Sequence, residues 1–165
     1  VTEVKNGELQ VYYKDDVNIS HSHTKVSVTV PFLNNIKTSG SGDVSTKGTI
    51  TNNKMIMLTS RGSGDMDLSL NAPAINISGA GSGDFKLSGE TRDLECTLTG
   101  SGEVDSRNLK SENAKIKITG SGNAKVFASN TLRATISGSG NVLYWGNPSL
   151  PEVNVTGSGK VKSGE

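Results

Sequence analysis

The chain has 165 residues with 17 basic and 16 acidic side chains, enough for one domain with a core and without a net charge that would mark a nucleic-acid or anionic-membrane binder. Aromatic residues make up 4%, while 20 glycines sit among many Thr, Ser, Asn, Val and Ile, a mixture that favours short strands and turns over helices. The longest apolar run, Met55 to Leu58, is far too short to cross a bilayer, so no membrane span is expected in this chain.

The chain opens at Val1 with neither methionine nor signal peptide, which reads as a processed or trimmed product whose signal or lipid anchor lay upstream. Residues 1–35 are expected to form antiparallel strands that cap the repeats beginning at residue 36. Asn6-Gly7, between Val4-Lys5 and Glu8 to Val11, is a strong hairpin signal. Lys25 to Val30 alternates, with Val26, Val28 and Val30 on one face, and is expected to add a strand. Between them, His21 and His23 would share a strand face as half of a zinc site, but no Cys or further His completes it. Asp15 and Asp16 are the only nearby partners, and an exposed loop is the simpler reading.

From residue 36 to 165 one motif organises the chain. GSGD stands at 40–43, 62–65 and 81–84, GSGE at 100–103, GSGN at 120–123 and 138–141, and GSGK at 157–160. Successive first glycines are 22, 19, 19, 20, 18 and 19 residues apart, a period near 20 that marks a solenoid. The units lack the LxxLxLxxN pattern of leucine-rich repeats and any amphipathic helix, so a parallel β-helix of about seven rungs is predicted. At about 4.8 Å per rung it would be on the order of 30 Å long.

Before each corner apolar residues alternate, as in Ile75/Ile77, Cys96/Leu98, Ile116/Ile118, Ala134/Ile136 and Val153/Val155. After each corner the residue following the acid, amide or lysine is apolar: Val44, Met66, Phe85, Val104, Ala124, Val142 and Val161. These should stack as inner columns. Ser39, Thr59, Ser78, Thr99, Thr119, Ser137 and Thr156 read as an outward hydroxyl column, with Ser60-Arg61 and Gly79-Ala80 as bulges before their corners. Cys96, sharing a face with Leu94 and Leu98, reads as a small buried hydrophobe, and as the only cysteine it can form no intrachain disulfide.

The outward position after each corner runs Asp43, Asp65, Asp84, Glu103, Asn123, Asn141, Lys160. Stacked acids about 5 Å apart repel by roughly 1 kcal/mol in water and several-fold more near a protein surface. Calcium would offset this, making Asp43, Asp65, Asp84 and Glu103 a candidate metal ladder. The simpler reading is an Asx-turn in which each side chain accepts its own corner's amides, which explains why Asp and Asn interchange. Two positions on, Ser45, Asp67, Lys86, Asp105, Lys125, Leu143 and Lys162 contain an alternating Asp–Lys ladder. Tyr144-Trp145 is a candidate ligand platform, an exposed ring stacking on a sugar, or else a core pair with one ring turned inward. The chain reaches Gly164-Glu165 with no evident cap, which leaves the last rung available for self-association.

With these corners in place, the chain resembles the auto-transporter adhesin "head GIN domain" family, common in Bacteroidetes. The resemblance rests on Val26-Ser-Val-Thr-Val-Pro31 leading to Ser39-Gly-Ser-Gly-Asp-Val44, on the later GSGD and GSGN corners, and on Tyr144-Trp-Gly-Asn-Pro148. It implies a right-handed β-helix on exported or outer-membrane-anchored proteins, with adhesion as the proposed role and no catalytic residues to transfer. Family members usually carry further strands before the segment corresponding to Val1.

Two functional classes are compatible with this pattern. A non-catalytic surface or secreted module, binding a glycan or protein ligand of a host or matrix, suits the absence of any Ser/His/acid or metal constellation. A carbohydrate-active lyase or hydrolase would draw on Asp65, Asp67, Asp84, Glu103 and Asp105. Against it, these acids sit in ladders, and units of 18–22 residues leave no room for groove-building loops. The first class is the expectation, with no cofactor.

Overall fold

A computed structural model describes residues 1–13, 24–149 and 151–164, and contains strands and turns without a helix. Val1–Val30 and Pro31–Glu165 form two compact units. In the first, β1 (Thr2–Lys5) pairs antiparallel with β2 (Glu8–Val11). Asn6 and Gly7 turn between them with φ of 51° and 77°, the two positive values a type I′ hairpin needs. Lys25 to Val30, expected as a further strand, has no ladder partner among the described residues, and its valines are about half exposed. Alternation specifies a face, but a strand exists only where a ladder partner is available. His21, His23, Asp15 and Asp16 lie outside the described residues.

The second unit is an eleven-stranded parallel sheet wound as a solenoid of about seven turns. Its strands are β3 (Asn35–Gly40), β4 (Val44–Thr51), β5 (Ile56–Gly62), β6 (Met66–Gly81), β7 (Phe85–Gly100) and β8 (Glu103–Gly120). They continue as β9 (Asn123–Phe127), β10 (Thr131–Gly138), β11 (Asn141–Trp145), β12 (Glu152–Gly157) and β13 (Lys160–Ser163). Each corner joins a strand to the next, and each strand lies in parallel register on the equivalent strand one turn away.

The post-corner column predicted from the sequence runs Val44–Met66–Phe85–Val104–Ala124–Val142–Val161, buried through its five middle members. A second runs Ile36–Leu58–Ile77–Cys96–Ile116–Ala134, and a third Ile56–Ile75–Leu94–Ala114–Leu132. Removing these side chains from water, at about 25 cal/mol per Å² of apolar surface, is the main force holding the turns in register.

The hydroxyl column differs from expectation. Ladder pairing counts back from the shared glycines, so Thr99 stacks on Ala80, which stacks on Arg61, and not on Ser78 and Thr59. Ser60-Arg61 and Gly79-Ala80 are therefore regular strand, with Ser60 and Gly79 buried beneath Leu98 in one inner column. The irregularities fall elsewhere. Extra residues bulge between Ser45 and Thr49 of β4, and one extra residue enters β8 opposite Leu87.

Candidate functional site

The seven corners are the repeated feature that most needs a chemical account. Gly100 has φ of 118°, a region that L side chains avoid, and a Cβ there would lie 2.4 Å from the carbonyl oxygen of Gly81 in the turn below. Gly102 lacks the positive φ, but its Cβ would lie 2.4 Å from the Gly83 oxygen. The carbonyl of Gly81 accepts the amides of Ser101 at 3.0 Å and Gly102 at 3.3 Å, and Gly100 accepts from Ser121 and Gly122 in the same way. The amides of a glycine-rich loop make an anion nest when they are free. From the second corner to the sixth both amides are consumed by the carbonyl one turn back, as is that of Gly159 in the seventh, so these are corners and not ligand loops.

The acids beside the corners follow the same rule. Asp43 accepts the backbone amide of Asp65 at 2.9 Å, Asp65 that of Asp84 at 2.8 Å, and Asp84 that of Glu103 at 2.7 Å. Asn123 accepts both the amide and the side-chain amide of Asn141 at 3.1 Å. At Asp43, Asp65, Asp84 and Asn123 the expected Asx-turn is thus replaced by a ladder between corners, while at Glu103 the Asn123 amide goes instead to the Gly102 carbonyl. An acceptor oxygen is all that the position requires, so Asp and Asn interchange. One oxygen of each Asp is committed to this bond, and among the described residues no three Asp, Glu, His or Cys side chains converge to hold a metal ion.

The charged column forms as predicted, but its pairs are redistributed. Lys86 donates to Asp67 at 3.2 Å across one turn. Asp105 turns to Arg107 on its own strand, with Nη2 at 2.7 Å and Nε at 3.0 Å, and Lys125 reaches Glu103 at 2.7 Å in the neighbouring column. The cause is the extra residue in β8, which sends Ser106 inward to donate to the Lys125 carbonyl and Arg107 outward. The guanidinium beside Asp105 holds its carboxyl below the usual carboxylate range, against a smaller opposing effect of burial. Of the carboxylates named for glycoside chemistry, Asp65 and Asp84 are therefore held in the ladder, Asp67 and Asp105 in ion pairs, and Glu103 by Lys125.

Tyr144 and Trp145 split between the two roles considered for them. Tyr144 packs against the core in the column of Val126. Trp145 points outward beside Phe127, half-buried, with Arg107 Cζ 5.3 Å from its ring centroid. Gly164 backs onto the indole so closely that a Cβ there would lie 2.2 Å from Cε2. Lys110 Nζ stands 4.0 Å from the Phe127 centroid, so two cation–π pairs sit side by side. Cys96 is fully buried, and desolvation pushes its thiol up to about 12, which makes it a packing residue and not a nucleophile at neutral pH.

Two further sets of polar bonds between turns escaped the sequence reading. Asn71 accepts the amide of Glu90 at 3.1 Å, while Asp93, Asn113 and Asn130 are joined in a chain of side-chain bonds of 2.9 and 3.1 Å. The donation from Asn113, then that from Arg92, lowers the Asp93 carboxyl below its ordinary range. These residues share no fixed neighbour motif; only their recurrence about one turn apart signals them.

Fold and surface together define the class: a parallel β-solenoid domain whose repeated corner residues serve the stack itself. The chain belongs to the family described as "Putative auto-transporter adhesin, head GIN domain", whose model matches residues 1–148. Among solved structures it is similar to a "putative adhesin" from Bacteroides fragilis NCTC 9343, with 27% identity and a TM-score of 0.71, over 81% of this chain and 61% of that one. It is also similar to a "putative lipid binding protein" from Parabacteroides distasonis ATCC 8503, with 27% identity and a TM-score of 0.71, over 79% of this chain and 53% of that one. The chain thus spans less than two thirds of either protein. No curated protein sequence matches it.

Proposed function

We propose that this domain is a non-catalytic binding module of an extracytoplasmic protein, displayed at the cell surface or outer membrane or secreted, that engages a glycan or protein ligand through its solenoid surface. The observation that carries this reading is the commitment of the corner groups. From the second corner on, amides that could cradle a substrate are bonded to the turn before, and the carboxylates that could act as acid, base or nucleophile are held by a ladder amide, a lysine or, for Asp105, an arginine of its own strand. Acid–base catalysis on a glycosidic bond needs two opposed carboxylates flanking the bond, whereas here the carboxylates recur in columns along one outward face, each already held by a ladder amide, a lysine or an arginine. Membership of an adhesin family agrees with this reading.

The test is a screen of the domain against arrayed glycans and host-matrix proteins, with and without calcium, beside a panel of polysaccharides assayed for cleavage. Saturable binding without cleavage is expected, with no change in melting temperature on adding calcium. Cleavage of any polysaccharide would replace this reading with the enzymatic one, and a calcium-dependent rise in melting temperature would restore a metal role for Asp43, Asp65, Asp84 and Glu103.

A further inference from the structure

The chain is nearly neutral, yet its charge is sorted along the stack. In the two columns after the corners, the first three turns carry Asp43, Asp65, Asp67 and Asp84 against the single lysine Lys86, the fourth carries Glu103 and Asp105, and the last three carry Lys125, Lys160 and Lys162 with no acid. Between the lysines lies an open depression of about 320 Å³ on the outward face of β9, β11 and β13. Its apolar floor is Leu143, lying over the strands at Ala124 and Val142, whose side chains face the core, and Asn123 and Asn141 stand along one side. Leu143 occupies a position that is charged in the four preceding turns, so the depression is an interruption of the charged column.

Only one acid lines it, Glu103, and that acid is neutralised by Lys125. Lys160 and Lys162 are exposed and form no ion pair among the described residues. They project from one strand two residues apart, about 6.6 Å, and face Lys125 two turns away, about 10 Å. Beyond them on the same outward face, Arg107 and Lys110 lie over Trp145 and Phe127.

We propose that this patch binds an acidic polysaccharide. Its carboxylate or sulfate groups would meet Lys160 and Lys162, its hydroxyls Asn123 and Asn141, and the apolar face of a sugar ring the Leu143 floor. This deepens the surface-module reading and rests on it. An open, shallow depression with charges spread at intervals suits an extended chain carrying repeated charge. A lipid fits less well, because an acyl chain needs an enclosed apolar channel. The inner columns are filled by side chains, and the space behind the corners near Gly79 and Leu98 is about 10 Å³, scarcely one water molecule.

The experiment uses the whole chain, titrated with heparin and polygalacturonate against neutral dextran at low and physiological salt. At least one of the two polyanions should bind, dextran should not, and affinity should fall as salt screens the lysines. Lys160→Glu/Lys162→Glu should weaken binding at least tenfold while melting like the parent, and Lys47→Glu, on β4 among the acidic turns, should leave it unchanged. Loss in both variants alike, parent-like binding by the double variant, or no binding of either polyanion would overturn the proposal. Vesicles of phosphatidylglycerol bound more tightly than either polysaccharide, through the same lysines, would overturn it in favour of a lipid surface. A hit on a neutral glycan or a protein in the broader screen, with no polyanion binding, would sink this inference alone; binding to nothing would sink the surface-module reading as well.

Discussion

At Gly100 two constraints act on one residue, a backbone angle reserved for glycine and a carbonyl oxygen where a side chain would begin. Gly100→Ala should therefore destabilise the domain by about 3–5 kcal/mol in urea unfolding, at the severe end for single substitutions. Ser101→Ala, on an exposed side chain in the same corner, should change stability by no more than about 0.5 kcal/mol. At Asp84 the needed property is an acceptor oxygen. Asp84→Asn should keep the ladder bond to Glu103 and relieve repulsion, leaving stability level or higher, while Asp84→Ala should cost about 1 kcal/mol in the same experiment. Loss in the Asn variant would show that charge matters there. The sequence made the corner legible because glycine has few reasons to recur; it could not reveal which amide each Asp would meet, since an Asx-turn and an inter-turn ladder use the same residues.

Among the strands, β8 shows how one inserted residue redirects chemistry. The interval from Gly100 to Gly120 is one longer than the two before it, and the surplus falls at Ser106-Arg107. Arg107 there meets both Asp105 and Trp145. Because Arg107 holds the Asp105 carboxyl below its unfolded value, this pair stabilises the fold above the ordinary carboxylate range and ceases to as pH falls through the lowered value. Arg107→Ala should raise the Asp105 value towards the ordinary one, followed by NMR titration, and shift acid unfolding to higher pH. Register was the part least legible at this scale. Thr59 and Ser78 look like partners of Thr99 by residue type, but a parallel ladder matches residues by distance from the shared glycines, which puts Arg61 and Ala80 there. Lys25 to Val30 shows the opposite failure, a strand pattern without a ladder partner among the described residues.

For the solenoid as a whole, each turn touches only its neighbours, so stability should be graded along the stack. The middle strands β7 and β8 are paired on both sides and bury Phe85, Leu94, Cys96, Leu109 and Ile116 almost completely. β12 and β13 are each paired on one side, and Val153 is half-exposed. Amide exchange should be slowest in β7 and β8 and fast at both ends of the stack, in β3, β4, β12 and β13; uniform protection would mean that the turns unfold as one unit. The overall charge balance was legible, but its sorting was not, because acids and lysines far apart in the chain reach one face only after winding. The solenoid period was plain from the glycine spacing, whereas the depression around Leu143 needs three strands side by side to exist.

The glycine bonds that close each corner reach only one turn back. Residues 81–99 therefore constitute a self-contained increment: a tandem copy would present the same donors, acceptors and inner columns to both neighbours and lengthen the domain by about 4.8 Å. Such a chain works as a ruler that recombination can lengthen or shorten in steps of one turn, moving the lysine end away from the acidic end without redesigning either.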